Sequence, residues 1–123
     1  MPTKVLIVDD EKDFLDIMAE RMSARGMAVS TASSAENALK MVLKESYDAV
    51  IMDLMMPAMD GFKALKLLKE IQPEIQVILL TGDATADKCS EAMKLGALDV
   101  IEKPADLNLL TQKIKEAKAR KKK

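Results

Sequence analysis

The sequence has no histidine and no tryptophan, and its single cysteine is Cys89. Without histidine there can be no catalytic triad, no imidazole metal site and no self-supplied phosphohistidine. One cysteine can form neither an intrachain disulfide nor a cysteine-based metal centre, so nothing calls for an oxidising compartment. The only aromatic side chains are Phe14, Tyr47 and Phe62, which leaves no platforms for stacking nucleic acid bases. No apolar run approaches the roughly 18 residues of a membrane span, and residues 1–8 lack the basic start and apolar centre of a signal peptide. Gly26, Gly61, Gly82 and Gly96 are the only glycines, and they make neither a dinucleotide fingerprint nor a P-loop. A cytoplasmic protein without membrane contact is expected.

Hydrophobic residues at 49% and charged residues at 32% place the chain among folded domains rather than disordered ones. At 123 residues it should form one core, with no room for a separate output domain. That core must be aliphatic, with ten methionines as adaptable filler. The net charge of −1 hides an asymmetry, because residues 113–123 carry +6 and the remainder −7. An acidic body suggests a cation site or a basic partner. We divide the chain into a domain over 1–117 and a basic C-terminal tail over 118–123. The tail is expected to be a solvated helix end favoured by the macrodipole, with nucleic acid contact the lesser reading.

The stretch Ala49, Val50, Ile51, Met52, Asp53 is a continuous apolar run ending in a carboxylate, as in a strand buried on both faces. Val5–Val8 and Val77–Leu80 are two more such runs, ending in Asp9, Asp10, Glu11 and in Thr81, Gly82, Asp83. Met27–Thr31 and Leu98–Ile101 are more polar strands. Between them lie helical patterns. Phe14, Met18 and Met22, with Ile17 beside them, mark the first, and Ser33 with Glu36 has the spacing of a capping box for the second. Phe62, Leu65, Leu68 and Ile71 mark a third helix after the Pro57 and Asp60–Gly61 turn. Cys89, Ala92 and Met93 mark a weaker fourth, and Leu107, Leu110, Ile114 and Ala117 a fifth capped by Asp106. Five strands alternating with five helices predict a doubly wound α/β domain of the flavodoxin type. The three apolar strands belong at the centre of the parallel sheet and the two polar ones at its edges, which the order 2-1-3-4-5 satisfies.

That topology lines up the carboxyl ends of strands one, three, four and five, bringing Asp9, Asp10, Asp53, Thr81 and Lys103 to one mouth. Three carboxylates so close call for a cation, and oxygen ligands without histidine or cysteine suit Mg²⁺. A metal, an ammonium, a hydroxyl and exposed backbone amides are equipment for phosphoryl transfer with a carboxylate as acceptor.

The set Val8, Asp9, Asp10, then Asp53, Leu54, Met55, Met56, Pro57, then Thr81, Gly82, then Lys103, Pro104 resembles the receiver (CheY-like) domain of two-component response regulators. The likeness covers the chain except its basic end. It implies that Asp53 accepts a phosphoryl group, that Asp9, Asp10, Asp53 and the Met55 backbone carbonyl hold Mg²⁺, and that Thr81 and Lys103 contact the phosphoryl oxygens. It also implies a cis bond between Lys103 and Pro104 and a switch region including Gly82, Asp83 and position 100. The donor would be a histidine kinase or a histidine phosphotransfer protein. A single-domain response regulator would then signal by docking a protein target on the face of the fourth helix, fifth strand and fifth helix, or by onward phosphorelay, and would not be an enzyme in its own right. Two positions depart from the family pattern. Val100 stands where an aromatic switch residue is usual, and Ala105 where an aromatic often follows the proline. Two rivals remain, a receiver-like docking module that is never phosphorylated and a haloacid-dehalogenase-like phosphatase. Against the second, no acid stands two residues after Asp53.

Overall fold

A computed structural model of the chain describes residues 2–56 and 60–121. Pro57, and Lys122 and Lys123 of the basic end, lie outside the described residues.

Every residue of β3 (Ala49–Asp53) and of β4 (Val77–Thr81) is buried, as is β1 (Lys4–Val8) apart from Lys4. Alternate side chains of these strands enter opposite cores. Leu6, Val8, Val50, Met52, Val77 and Leu79 face one cluster, while Val5, Ile7, Ala49, Ile51, Ile78 and Leu80 face the other. Both faces are therefore covered, which is why the runs show no polar alternation. β2 (Ala28–Ala32) and β5 (Asp99–Glu102) are the edges of a fully parallel sheet in the order β2-β1-β3-β4-β5. Each edge strand lies one residue later than its sequence pattern suggests. Pairing of β2 runs on to Ala32, opposite Val8, and pairing of β5 begins at Asp99, opposite Ile78.

The first core is closed by α2 (Ala35–Lys44), α3 (Gly61–Ile71) and α4 (Ala86–Lys94), the second by α1 (Lys12–Ala24) and α5 (Leu107–Lys121). In α1 the inward stripe is Leu15, Met18 and Met22, at steps of three and four residues, with Phe14 on its flank. Ile17, expected inside, is 50% exposed because it lies well round the helix from that stripe, beyond Phe14. The cap of α2 is Ser34 rather than Ser33. Ser34 has the extended backbone a cap needs, and its Oγ accepts from the Asn37 N–H at 3.1 Å. In α4 only Ala92 is buried. Met93, also expected inside, is 51% exposed, since this nine-residue helix touches the sheet along one narrow line.

Asp60 and Thr85 cap α3 and α4 through the N–H groups of Phe62 and Lys88, and Asp106 caps α5 through that of Asn108. Gly61 is required by close packing, because a Cβ there would lie 2.5 Å from the Leu54 carbonyl oxygen. Gly26 and Gly96 end α1 and α4 with φ of +90° and +98°, which glycine adopts without strain. Arg25, at the end of α1, donates to Asn108 Oδ1 and Thr111 Oγ1 at 3.2 and 3.0 Å, tying α1 to α5. The last helix continues to Lys121, so residues 118–121 of the basic segment lie in its final turn.

Candidate functional site

Parallel strands joined by helical crossovers place all their carboxyl ends on one edge of the sheet. Asp9 follows β1 directly, and its carboxylate has no solvent exposure. One oxygen accepts from the Glu11 N–H at 2.9 Å, and the other is 3.0 Å from Lys103 Nζ. Asp53 closes β3, and its carboxylate is buried. Its Oδ1 accepts from the Met55 N–H at 3.1 Å, while its Oδ2 lies 3.5 Å from the same ammonium. Asp10 is exposed at the rim. One carboxylate oxygen from each of Asp9, Asp10 and Asp53 lies within 4.8 Å of the other two.

Lys103 reaches this mouth because its backbone N–H is pinned to the Thr81 carbonyl at 2.8 Å, which extends the β4–β5 pairing by one residue. Burial works against its charge. The hydrogen bond to Asp9 and the charges of Asp53 and Asp9 outweigh that cost and hold the ammonium above its ordinary range. The Lys103–Pro104 peptide bond is cis.

Thr81 is fully buried, and its Oγ1 accepts from the Asp83 N–H at 3.2 Å. Of the expected switch positions, Gly82 and Asp83 are exposed on the loop after β4, and Val100 is half-buried against the first core. Asp83 pairs with Lys88 of α4 at 3.4 Å. The Met55 side chain is 63% exposed, and its backbone bridges to Asp60. A groove of about 630 Å³ opens beside the acids, lined by Asp10, Leu54, Met55, Met56, Asp60 and Phe62.

Three carboxylates facing one ammonium leave an excess of two negative charges. The donors are all hard oxygens, without histidine or thiolate, so the site fits a divalent cation of the Mg²⁺ or Ca²⁺ kind. Sequence reasoning missed one contact at this mouth. The Phe14 ring, assigned to the helix stripe, lies under the Lys103 ammonium, with the nitrogen 4.6 Å from its centroid. Nothing in the spacing of Phe14 could show that a lysine 89 residues further along the chain would reach it.

A doubly wound 2-1-3-4-5 sheet with acids at the ends of β1 and β3 and a lysine after β5 defines a CheY-like signalling domain. The sequence pattern of the response regulator receiver domain matches residues 5–115, and the chain belongs to that family. It is 35% identical over 115 residues to the transcriptional regulatory protein ZraR of Klebsiella oxytoca, covering 94% of this chain and 26% of that one. The chain thus spans about a quarter of the length of the curated relatives it matches. Its structure superposes on a response regulator receiver domain protein from Clostridium thermocellum with a TM-score of 0.92, at 36% identity over 98% of this chain and 97% of that one. A response regulator from Burkholderia pseudomallei, solved with a phosphorylated aspartic acid, a calcium ion and citrate, gives a TM-score of 0.85 at 27% identity over 95% and 71% of the two chains.

Proposed function

We propose that this receiver domain accepts a phosphoryl group on Asp53 from the phosphohistidine of a histidine kinase or phosphotransfer protein in the cytoplasm. It would signal through altered docking of a protein target or through onward relay of the phosphoryl group. The observation that carries this reading is the convergence of Asp9, Asp10 and Asp53 oxygens within 4.8 Å beside the Lys103 ammonium. An Asp53 oxygen forms a bond to phosphorus as the phosphorus–nitrogen bond of the donor breaks. The electron pair stays on the imidazole nitrogen, which takes up a proton. Asp9, Asp10, Asp53 and the Met55 carbonyl are the groups that would hold Mg²⁺, which would supply charge neutralisation for the phosphoryl oxygens. Lys103 already stands between two of these carboxylates and needs only a short move to meet an anion attached to Asp53. The phosphorylated aspartate of the Burkholderia relative is consistent with the same acceptor here.

A phosphoryl group on Asp53 would offer the Thr81 hydroxyl an acceptor, and the loop from Gly82 would follow it. The Thr81 oxygen now takes the Asp83 N–H, and Asp83 in turn holds Lys88 of α4, so this movement reaches α4 without an aromatic at Val100. The face of α4, β5 and α5 is then the docking surface for the protein target. Nucleic acid contact through the basic end of α5 is not part of this reading, since Lys113 and Arg120 are engaged with Asp99 and Glu116.

Incubation with acetyl phosphate and Mg²⁺, followed by intact mass measurement, should show one added phosphoryl group that is absent in Asp53→Asn. No gain in the wild type, or the same gain in the variant, contradicts the reading. Steady turnover of a phosphomonoester would point instead to the phosphatase.

A further inference from the structure

The chain has three aromatic rings and builds its core almost wholly from aliphatic side chains, yet one ring stands beside the acids. Phe14 lies in the first turn of α1, half-buried on the flank of the second core. Packing alone does not demand an aromatic there, because leucine would fill similar space among Leu15, Met18 and Ala105. A leucine, however, has no negative face. The Phe14 ring presents one to the Lys103 ammonium at 4.6 Å, and a ring quadrupole attracts a cation most strongly where water is scarce.

Lys103 needs such a hold. Its backbone is pinned to Thr81, but four methylenes separate that anchor from the charge, and a lysine is a flexible point charge. Its two carboxylate contacts are unequal, 3.0 Å to Asp9 and 3.5 Å to Asp53, so Asp9 alone would draw the ammonium away from the oxygen that is to react. The ring covers a third side of the nitrogen. Ring and lysine come from different elements, but Arg25 joins α1 to the start of α5 and keeps them in one frame.

We propose that Phe14 is a positioning residue for phosphoryl transfer, holding the Lys103 ammonium over Asp9 and Asp53 through the face of its ring. The part that concerns transfer rests on the reading of Asp53 as acceptor.

The test compares wild type, Phe14→Leu, Phe14→Tyr and a series with stepwise fluorinated phenylalanines at position 14. Fluorine withdraws charge from the ring face while nearly preserving ring shape. The first readout is the rate of phosphoryl uptake from acetyl phosphate with Mg²⁺, in which Asp53 gains the new oxygen–phosphorus bond and acetate leaves with the electron pair. Its logarithm should fall with each fluorine, by about three- to tenfold in all, with unchanged urea midpoints across the series. Phe14→Leu should fall as far, and Phe14→Tyr should restore most of the loss. The second readout needs no phosphorylation. In metal-free protein with ¹³C-lysine, the Lys103 ε-methylene signal should be shifted upfield by the ring, and its order should drop with each fluorine.

A rate indifferent to fluorination in a protein that does take up phosphate overturns the proposal. So does an ε-methylene signal at the ordinary lysine position. If the wild type takes up no phosphoryl group, the acceptor reading fails instead, and the methylene signal alone then decides whether Phe14 holds Lys103.

Discussion

Replacing Lys103 by methionine would leave the carboxylates of Asp9 and Asp53 at the end of the sheet without the ammonium that now lies 3.0 and 3.5 Å from them. Removing one partner of a buried ion pair costs about 3–5 kcal/mol. Two features reduce that here. The Lys103 side chain is 22% exposed, and both acids keep a backbone donor, Glu11 N–H for Asp9 and Met55 N–H for Asp53. We therefore expect a loss of about 2–3 kcal/mol in chelator, seen as a urea midpoint lower by about 1–2 M for a domain of this size. Millimolar Mg²⁺ should narrow the gap, because a divalent ion replaces the missing charge and stabilises whichever folded state binds it more tightly. The pH dependence carries its own sign. The native value of Lys103 is raised, so the native state keeps its proton to higher pH than the unfolded chain does. Its contribution is complete below the ordinary value of 10.5 and is lost as pH rises through the native value, so the gap between the two proteins should close only above 10.5. Lys69, held below its ordinary range by burial, has the opposite slope but is present in both proteins and cancels. A midpoint unchanged in chelator would refute the argument, as would a gap indifferent to both Mg²⁺ and alkaline pH.

Gly61→Ala places a methyl group against the Leu54 backbone and should cost about 1–3 kcal/mol in urea denaturation, with amide exchange increased at Leu54 and Met55. Ser34→Ala should cost about 1 kcal/mol, whereas Ser33→Ala should stay within about 0.5 kcal/mol, a pair that checks which serine caps α2. Ile17→Gln and Met93→Gln, at half-exposed positions, should each change stability by less than about 0.5 kcal/mol, while Leu68→Ala in the closed core should cost about 2–5 kcal/mol.

The buried strands were legible because a strand covered on both faces has no polar alternation, and Val5–Val8, Ala49–Met52 and Val77–Leu80 can be little else. The assignment of three central and two edge strands agrees with the observed sheet order, and parallel strands bring Asp9, Asp53 and Lys103 to one edge. Helix faces were less legible. Ile17 and Met93 are as apolar as their buried neighbours, and whether such a residue is covered depends on how wide a strip of helix the sheet reaches. The cap of α2 could not be told from spacing either, since Ser33 and Ser34 are adjacent and it is the hydrogen bond from the Asn37 N–H to Ser34 Oγ that decides between them.

The pattern of residues along the chain was enough to determine the element order, the parallel sheet and which charged side chains gather at its carboxyl edge, because these follow from local periodicity and from the geometry of crossovers. Only the folded structure decided where the Lys103 ammonium rests, between two acids and over the face of Phe14, because a long flexible side chain takes its position from groups that come near it only when distant elements pack.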